Sequence, residues 1–286
     1  MFSDTFALTA RDLKKWVRNP ATIMPGLFLA VFWLALFGSS FNPTNLIPTQ
    51  IGGTSLPPAV LSQIRSAIVG TFGGAPTYIT YLTAGIISLI AVINMAYGGI
   101  GIVLDRQLGF RNMLLASPIS RASIYFSGVL QNFTKVMVLA LLTFVVALLI
   151  PNGLQLAQGF GILGFLGFFA AFALLTFAFS CIFTTIAFSV KAVEPLVAIA
   201  NFIAFPLAFI SNSLFPIASF PNWMKTIAQV NPISKANEAA RLLIVNGSLS
   251  TSQMGIFAGD ILYLAVFALA FTILGYVAAK KALKAE

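Results

Sequence analysis

FGILGFLGFFAAFALLTFAFSCIFTTIAF, residues 160–188, contains no charged side chain and no proline. A helix rises about 1.5 Å per residue, so a run of this length exceeds the roughly 30 Å of a bilayer's hydrocarbon core. It reads as a membrane-spanning helix, and the sequence on either side reads the same way. Residues 21–41 (ATIMPGLFLAVFWLALFGSSF), 79–104 and 195–214 are uncharged, while 124–150 is interrupted only by Lys135 and 256–279 only by Asp260. Six spans in one transmembrane domain, residues 1–286, follow: an all-α integral membrane protein.

Composition agrees. Of 286 residues, 59% are hydrophobic and 8% charged, against about a quarter charged in a soluble domain, which excludes a water-soluble fold. The single cysteine, Cys181, lies inside an apolar run and reads as a small buried hydrophobe. There is no histidine, which removes imidazole from any zinc site, proton relay or general base. The formal charge of +9 is not a nucleic-acid footprint, because the basic residues flank apolar spans instead of covering one face. Four basic residues precede the first apolar run and no small-residue cleavage site closes it, so it is expected to be retained as a span and not removed as a signal.

Six spans put both termini on one side, and the basic residues choose it. Arg11, Lys14, Lys15, Arg18, Arg106, Arg111, Arg121, Lys191, Lys280, Lys281 and Lys284 fall on the terminal side; only Arg65, Lys225, Lys235 and Arg241 fall across the membrane. Both termini are expected to be cytoplasmic, in the cell membrane. Val136 to Ile150 is too short to cross alone, so Lys135 lies just inside the cytoplasmic boundary; it reads as snorkelling to the headgroups, with a buried transport site as the alternative. Asp260 reads as lying at the outer interface near a helix N-terminus, and Lys191 with Glu194 as a solvated cytoplasmic turn.

The remaining segments do not span. Residues 3–19 have Ser3 or Asp4 as a cap, with Phe6, Ala10, Leu13 and Val17 at helical spacing and basic residues elsewhere on the wheel. This pattern predicts an amphipathic helix in the cytoplasmic headgroup plane, stopped by Pro20. In 104–128 Gly109 interrupts a helix and Ser117-Pro118 reads as an N-cap followed by a first-turn proline, giving a cytosolic helix-turn-helix. The outer loop 42–78 is rich in Gly, Pro, Ser and Thr, with an apolar patch at 59–69 that can lie against the membrane. Residues 215–255 carry two proline breaks, the interfacial-type Trp223, and Glu238 spaced i, i+3 from Arg241; they read as two short helices packed on the outer end of the bundle.

Three of these stretches, in this order, resemble the permease subunits of type-2 ABC exporters, a family that includes bacterial drug-resistance and polysaccharide or glycolipid exporters, and the resemblance covers nearly the whole chain. The first is the N-terminal amphipathic helix. The second is GFRNMLLASPISRASIYFSGVL, similar to the family's Gly-Thr, Leu-Leu, Ser/Thr-Pro-Ile pattern through Gly109, Leu114, Leu115, Ser117, Pro118, Ile119 and Arg121. The third is PNWMKTIAQVNPISKANEAAR, similar to its Pro-x-Trp, Asn-Pro, Glu-x-x-Arg series through Pro221, Trp223, Asn231, Pro232, Glu238 and Arg241. The chain departs from the family where a glutamate-rich run often precedes the Gly-Thr pair; here Asp105, Arg106, Gln107, Leu108, Gly109 and Phe110 stand there. The resemblance implies a homodimer of six-span subunits. It also implies that 105–121 is a coupling segment inserted into a separate ATPase, which carries ATP and Mg, and that 215–255 forms an external re-entrant helical pair.

The residues themselves add an absence: no G-x-x-x-x-G-K-[ST] phosphate loop and no Gly-Lys dipeptide occur, so this chain is expected to be a transport subunit without its own ATPase site or cofactor. Sparse intramembrane charge and 28 phenylalanines suit a path for an amphipathic or lipid-like molecule or drug. Asn94 and Asn201 are polar groups within spans whose commoner role is an interhelical hydrogen bond. An ion-coupled secondary transporter is the alternative. It would want paired carboxylates near the midplane, whereas Asp105, Glu194 and Asp260 read as falling near span ends. A lipid-modifying membrane enzyme would want His, a carboxylate cluster or a metal motif, and the sequence shows none of them.

Overall fold

A computed structural model describes residues 2–19, 23–40, 50–51, 54–55, 57–151 and 153–282. In chain order the helices are α1 (Phe2–Val17), α2 (Met24–Ser40), α3 (Pro58–Thr71), α4 (Tyr78–Gly98), α5 (Ile100–Gln107), α6 (Phe110–Ala116), α7 (Arg121–Leu149), α8 (Ile162–Ser189), α9 (Val193–Phe209), α10 (Asn222–Val230), α11 (Pro232–Asn246) and α12 (Thr251–Ala282). A minimal ladder, β1 (Gln50–Ile51) with β2 (Thr54–Ser55), sits in the loop after α2. Among the described residues four helical stretches are long and apolar enough to cross a bilayer: Tyr78–Gln107, Arg121–Leu149, Ile162–Ser189 and Thr251–Lys281. Met24–Gly38 and Val193–Phe209 are apolar but shorter.

The chain packs around α8. It touches α4, α7, α11 and α12, and Phe168, Phe172, Leu175, Phe179 and Phe183 recur on its buried side at helical spacing. Lipid is as apolar as these rings, so what holds them is close packing, not escape from water. α4 is buried on nearly every side. By contrast α12 turns Asp260, Leu264 and Ala268, one per turn, toward α8 and α11, and leaves Leu262, Val266, Leu269 and Ile273 exposed.

Several boundaries differ from the sequence reading. Residues 21, 22 and 41 of the first expected span, Pro20, and Lys284 lie outside the described residues. Span 79–104 is two helices in series, α4 and α5, meeting at Gly99. Span 195–214 is shorter than expected: α9 stops at Phe209, since the Asn231 side chain takes up the carbonyls of Leu207 and Ile210. The last helix begins at Thr251, five residues before the expected 256, with Ser250 and Gln253 closing its first turn. Part of the loop 42–78 is helix α3, with no buried residue.

Helix α1 forms over most of the expected 3–19 and lies along α7, but it runs from Phe2 to Val17, so Ser3 and Asp4 sit in its first turn and neither caps it. Its buried side is Thr5 and Thr9, with Leu8, Asp12, Leu13 and Trp16 half-buried, while Phe6, Ala10 and Val17 stay exposed. Of the apolar stripe read from the sequence, all but Leu13 therefore faces away from the bundle.

Candidate functional site

Residues 105–121 leave the bundle as the tail of α5, the short α6 and a turn into α7. Gly109 adopts φ +76°, the left-handed conformation that favours glycine, and makes the reversal between α5 and α6. Ser117 does not cap α7. It ends α6, where its hydroxyl donates to the Leu114 carbonyl at 2.6 Å. The cap belongs to Ser120, whose Oγ accepts from the Ser123 amide at 3.1 Å, and α7 starts at Arg121 without proline in its first turn. Leu114 and Ile119 pack inward against the cluster that holds Ile124, Tyr125, Val129 and Phe188. Leu108, Met113, Pro118 and Arg121 are exposed, and the Leu115 side chain lies outside the described ones.

This segment is tied to two other parts of the same end. Arg11 of α1 donates to Asp105 at 3.3 Å and stacks over the Phe110 ring at 4.4 Å. Arg106 donates to the Val190 carbonyl at 3.0 Å and Gln107 to that of Lys191 at 3.3 Å. The turn between α8 and α9, where Lys191 and Glu194 are exposed, is thus held by α5. The bonds to residues 190 and 191 were not legible in the sequence, because backbone carbonyls carry no residue signature.

At the other end α9 gives way to an irregular stretch, 210–216, whose backbone groups need partners wherever lipid surrounds them. Distant side chains supply these. Tyr78 donates to the Leu214 carbonyl and Tyr81 to that of Asn212, both at 2.9 Å. Asn231 caps α11 by accepting from the Ile233 amide at 2.9 Å, and its Nδ2 closes α9 at 2.7 Å from two carbonyls. Gly85 is required beneath this stretch, because a Cβ there would run into the Ser213 carbonyl. Pro221 precedes α10, Trp223 is exposed, and Pro232 is the buried first residue of α11.

Glu238 and Arg241 do not form the pair that their spacing suggested. Glu238 accepts from Lys235 at 3.3 Å, whereas Arg241 is buried and turned inward. Its Nε donates to the Tyr81 carbonyl at 3.0 Å and its Nη2 to that of Ser213 at 3.2 Å, and the guanidinium lies 3.6 Å over the Tyr81 ring. Asp260 is likewise not at an exposed interface. It lies more than two turns inside α12, 4% exposed, paired with Lys235 at 3.0 Å. Burial opposes the Lys235 charge, but the hydrogen bond to Asp260 and the nearby Glu238 outweigh it and hold this lysine's pKa above its ordinary value. Asn201 makes an interhelical bond, accepting from Tyr97 at 3.0 Å, while Asn94 turns back on its own helix at Ile90.

Residues 3–245, which hold both the exposed segment after α5 and the Arg241 cluster, match the model of the ABC-2 type transporter family. The chain belongs to this family. It is 28% identical over 255 residues to the ycf38 transport permease of Porphyra purpurea, covering 87% of this chain and 77% of that one. It is 27% identical over 227 residues to the daunorubicin resistance ABC transporter permease DrrB1 of Streptomyces coeruleorubidus (76% and 74% covered). The doxorubicin resistance ABC transporter permease DrrC of Mycobacterium tuberculosis is 22% identical over 262 residues (88% and 81%). The ABC-2 chain is therefore a membrane transport permease, and its family implies a partnering ATP-binding subunit.

Proposed function

We propose that this ABC-2 permease is the transmembrane half of an exporter that moves an amphipathic or lipid-like substrate, or a drug, across the cell membrane. A separate ATPase subunit carrying ATP and Mg supplies the energy. The observation that carries the reading is the cytosolic segment. Leu108, Met113, Pro118 and Arg121 form an exposed surface on short elements whose inner residues, Leu114 and Ile119, pack against α7 and α8. A push on that surface reaches the α8–α9 turn through Arg106 and Gln107 and the α1 helix through Asp105. Closure of paired ATPase subunits would in this way shift two copies of the chain between inward and outward access, and hydrolysis would reset them. Six spans with both termini cytoplasmic, and a homodimer, complete the proposal. The drug-resistance relatives support a drug-like cargo.

Leu115→Asp combined with Pro118→Ala tests the coupling role: the complex still inserts and hydrolyses ATP, but transport no longer follows hydrolysis. Transport at the parent rate per ATP would remove the segment from the mechanism. An ion-coupled carrier is favoured by one observation, the buried carboxylate of Asp260, whose Oδ2 has no hydrogen-bond partner. Asp260→Asn decides between them: substrate movement that stays ATP-dependent supports the exporter, and loss of a proton or sodium dependence supports the carrier.

A further inference from the structure

Helix α9 is fastened at both ends by side chains of other elements. At the end that carries residues 105–121, Arg106 and Gln107 of α5 donate to the carbonyls of Val190 and Lys191, in the turn that leads into α9. At the opposite end Asn231 Nδ2 donates to the carbonyls of Leu207 and Ile210, where α9 stops. The same Asn231 ends α10 and begins α11, since its Oδ1 accepts from the Ile233 amide. One buried side chain thus joins the last turn of α9 to the helical pair α10–α11.

Between these ties α9 is loosely gripped. It buries Leu196, Ala200, Ala204 and Ala208, one per turn, and its main neighbour is α4. The alanines present a smooth strip, whereas the phenylalanines of α8 interlock with the helices around them and cannot shift without repacking. Along its own axis α9 is stiff, because every turn is closed by backbone hydrogen bonds, and its 17 residues carry a displacement over roughly 25 Å. Pro206 withdraws one N–H from that ladder just before the last turn, which leaves the Asn231 tie to fix the turn against α11. The parallel route through α4 is interrupted, because α4 and α5 are separate helices that meet at Gly99.

We infer that α9 is a push rod and that Asn231 is the positioning residue that passes its displacement to α11, so that α10 and α11 move when residues 105–121 are driven. The inference rests on the exporter reading above and extends it from the α8–α9 turn to the opposite end of the bundle.

The test is hydrogen–deuterium exchange of the intact complex, permease with its ATPase, with and without ATP and vanadate. In the parent, nucleotide changes exchange at 105–121 and at 217–246. Asn231→Ser keeps a side-chain acceptor to cap α11 but removes the amide that reaches α9. The nucleotide-dependent change at 217–246 is then lost, while that at 105–121 stays. Arg106→Ala with Gln107→Ala, at positions that are not buried, removes the tie at the other end and gives the same pattern. A purely structural Asn231 would raise exchange at 217–246 in both nucleotide states and leave their difference intact, and that result overturns the relay alone. No nucleotide response at 105–121 in the parent instead overturns the exporter reading, and the relay with it.

Discussion

Arg241→Lys keeps the charge and removes the shape. The parent guanidinium spans two buried carbonyls, those of Tyr81 and Ser213, while lying 3.6 Å over the Tyr81 ring. A lysine carries its three donors on one nitrogen at the end of a flexible stem, so it cannot reproduce the separate Nε and Nη2 positions that meet the two carbonyls, and one of them is expected to lose its partner. Leaving it unpaired costs about 1–3 kcal/mol, and loss of a desolvated stacking contact about 2 kcal/mol more. Some of this is recovered by relaxation, so a net loss of about 3 kcal/mol is expected, or roughly 6–12 °C in apparent melting temperature for a chain of this size. The assay is thermal unfolding of the detergent-solubilised protein followed by tryptophan fluorescence, with membrane insertion checked separately. A drop below about 2 °C would show that the guanidinium does not pin residues 210–216 to α4 and α11.

Three further outcomes follow from the same contacts. Gly85→Ala places a methyl against the Ser213 carbonyl and should abolish stable expression, whereas Gly259→Ala, which meets open space in α12, should be neutral or stabilising by up to about 1 kcal/mol; comparing the two yields by fluorescence-detected size exclusion checks this. Lys235→Met strands the buried Asp260 carboxylate and should cost about 3–5 kcal/mol, measured as loss of thermal stability. Asp260→Leu should cost less, because Lys235 keeps Glu238, and adding it to Lys235→Met should restore most of the loss.

What the sequence made legible was whatever a local rule controls. Uncharged length located α8, and helical spacing located α1. What escaped it was set by partners far along the chain. Arg241 meets Tyr81, 160 residues away, so its i, i+3 neighbour Glu238 was the wrong partner. Asp260 looked terminal because the 20 residues from Asp260 to Ala279 suffice to cross, yet α12 extends further back and buries it against Lys235. Ser117 and Ser120 both have capping side chains. Which one caps α7 depends on where Ile124 and Tyr125 must enter the core, and that is a tertiary constraint. The stop of α9 at Phe209 was equally invisible, because the side chain that closes it belongs to Asn231.

The central claim is that this ABC-2 permease is driven by a separate ATPase, and the most direct test is to extract the tagged chain gently from its native membranes. The account predicts that a nucleotide-binding subunit copurifies and brings vanadate-sensitive ATPase activity. A chain that emerges alone and inactive from several mild detergents would contradict it.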